Sequence, residues 1–264
     1  MGGLMPLSLK NRFPFKLGTT SFIHPADYSD NVRLLAPLVD EIELLVLESE
    51  HLPSSAQISE LRDLAGALDV TYNIHLPMDI SLADPSPGIR LRSREAVLRA
   101  LDRVLPLNAS THTLHVTFDI PDKDPDGVGA WQAWAVESLD RLLAKAPIGA
   151  GNLTVETLDF PPQWLTPIVS QLDLPVCVDV GHIVRFGFDL KEALDSFAGK
   201  IDIFHLHGVT GEQDHRALNF LAPYARDLVA AQLKNFNGSV SLEIFSLKKL
   251  TDSLNCFNQM MARL

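Results

Sequence analysis

At 264 residues, 46% hydrophobic and 21% charged, the chain has the size and apolar content of one large globular unit, and its longest apolar runs are too short to span a bilayer. Basic residues number 22 against 33 acidic ones, a formal charge of −11, and no basic cluster exceeds the Arg90–Arg94 region, which disfavours nucleic acid as a partner. Cys177 and Cys256, the only cysteines, form no metal-type or redox-type pair, which predicts a reducing, cytoplasmic setting.

Residues 1–14 read as a lead-in, with Lys10 and Arg12 set among Pro6 and Pro14. They lack the continuous apolar segment and small-residue cleavage site of a signal peptide. From Phe15 to the C-terminus, short β-branched runs alternate with amphipathic stretches. Strand Phe15–Ser21 precedes helix Tyr28–Leu38, and strand Glu41–Leu47 precedes helix Ser55–Leu68. Strand Val70–His75 leads to helix Arg90–Leu105, and Thr111–Val116 to Ala130–Lys145. The next pairs are Leu153–Glu156 with Gln163–Leu172, and Val176–Asp179 with Leu190–Ala198. Ile201–His207 with Asn219–Asn235 and Ser239–Glu243 with Lys248–Leu264 complete the series. Ser54 or Ser55, and Asp189 before Leu190, supply cap-type residues; Pro37, Pro106, Gly149 and Gly151 mark helix ends.

Eight strand–helix units predict one parallel sheet closed into a (β/α)₈ barrel over residues 15–264. A doubly wound open sheet would carry a Gly-rich phosphate loop after its first strand, but here Gly18-Thr19-Thr20-Ser21 runs into His24-Pro25. The Asp-, Pro- and Gly-rich stretch Asp119–Gly129 reads as an irregular insert and a candidate lid.

Reacting groups in such a barrel come from the C-terminal strand ends and the loops after them. Those places hold His75, His115, Glu156, Asp179 with His182 beyond it, His205 and His207, Asp214-His215, and Glu243. Six of the nine histidines belong to this set. Imidazoles mixed with carboxylates suit zinc, manganese or iron better than magnesium or calcium. The set exceeds the needs of one four-coordinate ion, so two or three divalent metals per chain, zinc first, are expected. His205 and His207 are two apart and share a side of their strand, and the pattern does not choose between them. Glu48 is a candidate substrate group. His24, His51 and His112 read as loop or core residues.

Val178-Asp179-Val180-Gly181-His182, with Gly187 and Asp189 following, resembles the sixth-strand signature of the xylose-isomerase-like barrels, which include endonuclease IV and sugar isomerases and epimerases. The ligand-type residues also fall in the order of the endonuclease IV trinuclear set. One departure is that Asp214 directly precedes His215, where the endonuclease pattern is Asp-x-His. Gly18–Asp27, Asn31-Val32-Arg33, the segment from Glu43-Leu44 and His75-Leu76-Pro77-Met78-Asp79 are similar to the cobamide-remodelling phosphodiesterases.

That resemblance implies hydrolysis of the cobamide nucleotide loop to cobinamide phosphate and a riboside. Glu156 would bridge metals, with Asp179 and Glu243 as further catalytic carboxylates, and Arg216 would add charge at the phosphoryl group. Three other readings compete. A one-metal sugar isomerase or epimerase needs only Glu156, Asp179, a seventh-strand His and Glu243, with two carboxylates moving protons. Repair at abasic DNA sites conflicts with the negative charge. A non-catalytic ligand-binding barrel would turn over no phosphodiester. Oligomeric state is not legible.

Overall fold

The computed structural model describes residues 6–121 and 123–263. Eight parallel strands close into a barrel: β1 (Lys16–Thr20), β2 (Glu41–Leu45), β3 (Thr71–His75), β4 (His112–Leu114), β5 (Leu153–Glu156), β6 (Val176–Asp179), β7 (Ile201–Leu206) and β10 (Ser239–Leu242). β1 closes the ring against β10, Lys16 beside Ser239 and Thr19 beside Leu242. A small antiparallel hairpin, β8 (Gly208–Thr210) and β9 (Gln213–Arg216), rises from the end of β7.

The helices are α1 (Tyr28–Leu35), α2 (Ser55–Leu68), α3 (Pro87–Val104), α4 (Pro125–Leu143), α5 (Thr166–Gln171), α6 (Val180–Arg185), α7 (Leu190–Ser196), α8 (Pro223–Leu233) and α9 (Leu247–Met261). Ser54 caps α2 in a capping box with Gln57, and Asp189 caps α7 through the Glu192 N–H.

The eight units stand in the order that the sequence predicts, with most ends trimmed by a few residues. Two corrections concern loops. Asp124 accepts the Gly127 N–H and Pro125 occupies the first turn, so α4 begins inside the stretch read as a lid, although Asp122 lies outside the described residues. The loop after β6 is helix α6, and that after β7 is the hairpin. Elements of three to six residues leave no periodic trace in a sequence.

Apolar strand residues such as Ile42, Ile74, Leu114, Val155, Val178, Phe204 and Val240 are buried in one continuous core. The barrel interior is polar instead. Near its floor Glu41 accepts hydrogen bonds from Asn73 and Ser239 across three strands. One layer up, Glu43 accepts from Ser241, and Thr113 and Thr154 bond to each other. This polar interior continues upward into the site.

Residues 6–14 are bound to the ends of the first two helices. Leu9 is fully buried and its N–H donates to Leu38 O, while Lys10 Nζ donates to the carbonyls of Ala36 and Leu68. A cation there also offsets the negative ends of α1 and α2. Phe13 stacks on Phe15, and both meet the edge of Phe257 on α9.

Candidate metal centre

Strands β3 to β7 and β10 bring residues at or just beyond their ends to one point. Glu156, at the end of β5, is buried at its centre. Its Oε2 lies 2.9 Å from His115 Nε2 and 3.3 Å from His75 Nε2. Its Oε1 lies 3.2 Å from His205 Nδ1 and 3.7 Å from His182 Nδ1. One carboxylate thus offers a different oxygen to each of two sets of donors.

The donors form contiguous groups whose ligand atoms lie within 4.8 Å of one another: His75, His115 and Glu156; Glu156, Asp179, His205 and Glu243; and His182, His207 and His215. This grouping separates the two histidines that the sequence left equivalent, His205 on β7 and His207 just beyond it. His205 belongs to the four-residue group, and His207 to the imidazole group.

The donor orientation fits cations. His75 Nδ1 faces the Leu76 carbonyl at 3.0 Å and must carry the proton there, which leaves Nε2 free, 3.1 Å from His115 Nε2. His215 Nδ1 likewise faces the Glu243 carbonyl at 3.1 Å, leaving its Nε2 free. Asp179 Oδ2, His182 Nδ1, His207 Nε2 and Glu243 Oε2 are buried with no hydrogen-bond partner. Orphaned polar atoms are costly, and divalent ions would satisfy Asp179 Oδ2, His182 Nδ1 and Glu243 Oε2 directly. His207 offers Nε2 only in the tautomer whose Nδ1–H turns to the Gly208 carbonyl, 3.2 Å away.

Electrostatics follow from this crowding. Burial works against charge on Glu156, but His205 and His115 outweigh it and hold the carboxyl well below its ordinary range. Asp179 is also lowered, by His182 and His207 against burial. Burial pushes Glu243 well up despite His205, and the charges of Asp179, Glu156 and Glu43 add to the effect. Burial opposes a proton on His75, yet Glu156, Glu43 and Glu243 raise that imidazole to about 9. Burial lowers His115, and burial with His207 brings His215 down to about 4.

Local structure explains how the sequence reaches this geometry. Asp179 ends β6 and caps α6 through the His182 N–H at 2.7 Å, so strand end, helix start and two ligand-type residues are one feature. His215 has a left-handed backbone, φ 46°, and its N–H donates to His207 Nδ1 at 3.0 Å. Gly181 is required by contact: a Cβ there would lie 2.1–2.3 Å from the His207 ring.

Two residues in or beside the cluster escaped the sequence reading. Glu43 is fully buried, and its Oε1 reaches across the barrel to within 2.9 Å of His205 Nε2, while His205 Nδ1 faces Glu156. Cys177 lies within ligand reach of Glu156 and His205, and burial pushes its thiol well up. A signal existed for both: Glu41/Glu43, Asn73/His75, Thr154/Glu156, Cys177/Asp179 and Ser239/Ser241/Glu243 alternate with apolar residues along their strands.

Other site residues predicted from sequence lie apart from the cluster. Asp214 is paired with Arg185, its Oδ1 3.9 Å from His215 Nε2, and it is not in the imidazole group. Glu48 is exposed and faces His51 at 2.5 Å. Arg216 bonds Gln213 and lies over the Phe220 ring. Of the remaining histidines, His24 is exposed, and His112 is buried on β4 with Nδ1 3.1 Å from Asn152 O.

No curated protein matches the sequence. A family model described as xylose isomerase-like TIM barrel matches residues 39–260. Among solved structures, a D-tagatose 3-epimerase-like protein superposes with a TM-score of 0.81 at 17% identity, over 94% of this chain and 98% of its own. D-psicose 3-epimerase from Clostridium cellulolyticum, solved with D-tagatose, gives 0.70 at 16%, over 94% and 99%. Endonuclease IV from Thermus thermophilus gives 0.71 at 15%, over 94% and 100%. At these identities the structures share the fold.

Proposed function

Since the chain belongs to the xylose isomerase-like TIM barrel family, we propose that it is a metal-dependent phosphodiester hydrolase. The observation that carries this reading is the double use of Glu156, one oxygen toward His75 and His115 and the other toward His205 and His182. A single-metal isomerase has no use for the first group or for the three imidazoles. Divalent ions in such a site supply Lewis acidity to a phosphoryl oxygen and activate water.

The residues divide the work. Glu156 ties the two groups together, and Asp179, His205 and Glu243 complete the inner one. Glu43 orients His205, and Lys249 holds the hairpin by donating to the His215 carbonyl at 2.9 Å. The substrate class that the N-terminal segments support is a cobamide, cleaved at the phosphoester joining cobinamide phosphate to the lower-base riboside. The charge of −11 favours such a small molecule over nucleic acid.

A second reading rests on the four-residue group alone, Glu156, Asp179, His205 and Glu243, and on the superposition with the sugar 3-epimerases. Metal content separates the two: two or three ions per chain support the hydrolase, and one ion with C3 epimerisation of a ketohexose supports the epimerase. The direct test is incubation with an intact cobamide, before and after chelation and zinc add-back, alongside Glu156→Gln. Release of cobinamide phosphate that depends on metal and on Glu156 is expected. Undiminished release by the metal-free protein would overturn the proposal.

A further inference from the structure

β1 and β2 contribute no residue to the ligand groups, yet the segments after them line the mouth. Phe22 follows β1, and Leu45 and Leu47 end or follow β2. With Met78 after β3 and Phe245 after β10 they wall a cavity of about 290 Å³. Its remaining lining is His75, His215 and Glu243, so it opens directly on the cluster. Phe22, Leu47, Met78 and Phe245 are each 36–42% exposed, an unusual density of large apolar side chains around a charged centre. Phe245 already meets the His215 ring at 5.0 Å, inclined at 60°.

We propose that this cavity binds a planar aromatic ring, the size of a fused heterocycle, carried by the substrate next to the reacting ester. Two phenylalanines and a methionine offer ring faces, ring edges and a polarisable sulfur, the contacts that a flat aromatic group makes best. Its five apolar side chains give sugar hydroxyls no partners away from the inner end, where His75, His215 and Glu243 lie, and leaving hydroxyls unpaired costs binding. Because His75, His215 and Glu243 line the cavity and also belong to the ligand groups, a ring held there sits next to the cluster. A long alkyl chain would be stopped by those charged groups at the cavity's inner end. A larger cavity of about 780 Å³, lined by Arg92, Arg99, Ser49, Asp79 and Ile80 among others, shares Met78 with this one and leaves room for the rest of a bulky substrate.

This inference rests on the cluster being the reaction centre, but its test does not require turnover. Benzimidazole is titrated into the zinc-loaded protein and followed by ligand-observed NMR, with D-fructose and octanoate as competing probes. Saturable benzimidazole binding is expected, weakened at least tenfold in Phe22→Ser and in Phe245→Ser. Leu105→Ser, an exposed apolar position at the far end of α3's C-terminal turn, serves as a control expected to bind as the parent does. Circular dichroism and zinc content check that each variant remains folded and loaded. Absent binding, equal binding by the folded variants, or displacement by octanoate or fructose but not by a second aromatic probe would overturn the subsite. Benzimidazole binding without metal-dependent hydrolysis of any phosphodiester would leave the subsite standing and overturn the hydrolase reading; hydrolysis without ring binding would do the reverse.

Discussion

Glu156 and Glu43 show how two carboxylates in one barrel take different tasks from their positions. Glu156 ends its strand and faces the mouth, whereas Glu43 lies in the layer with Ser241 and His205, shut off from solvent. A carboxylate behind a metal-binding imidazole sets which nitrogen is free and how the ring is aimed, and its loss typically weakens metal affinity by about 10–100-fold. Glu43→Gln is therefore expected to keep the fold but to lower zinc affinity by roughly that factor, measured by competition with a chromogenic chelator. Restoration by Glu43→Asp, in part, would separate positioning from packing.

The same residues set a pH dependence. His75 holds its proton up to about 9, above the ordinary 6.5 of a free imidazole, and Glu243 is raised as well. A group whose folded value is raised stabilises fully below its unfolded value and loses that contribution as pH rises through the folded one. The metal-free protein should thus lose thermal stability between about pH 6.5 and 9, the window of His75. Zinc must displace those protons, so its affinity should rise over the same window, with protons released on binding. Calorimetry in buffers of different ionisation enthalpy measures that release; zinc binding without proton release would contradict the assignment.

Among the elements, the β6–α6 junction carries a tight constraint next to the cluster. Asp179 caps α6, and Gly181 leaves the gap that the His207 ring fills. Gly181→Ala has no room without moving His207, an overpacking that typically costs about 1–3 kcal/mol. The expected result is a lowered urea midpoint at unchanged slope, together with reduced metal content. The hairpin after β7 is built for a similar purpose, its left-handed His215 presenting a backbone N–H to His207. Strain of this kind gathers at functional positions.

At the scale of the whole molecule, the barrel gathers carboxylates and imidazoles at one end, so an ion held there would be linked to folding. With free zinc about a thousandfold above its dissociation constant, the linkage is worth roughly 4 kcal/mol. Removing metal with a chelator should therefore lower the melting temperature, and re-addition should restore it, as scanning calorimetry would show. No described helix is long and apolar enough to cross a membrane.

Alternating strand and helix patterns were enough to determine the eight units, their order and the barrel, because periodicity and capping are local properties of the chain. Ligand-type residues at six strand ends were legible for the same reason. What the tertiary structure decided was which of them meet. The packing of the loops after the neighbouring strands β6 and β7 sets Asp214 against Arg185, and closure of the barrel brings Glu43 across to His205. Those partners come from strands far apart in sequence, and no local pattern encodes a distance across the barrel.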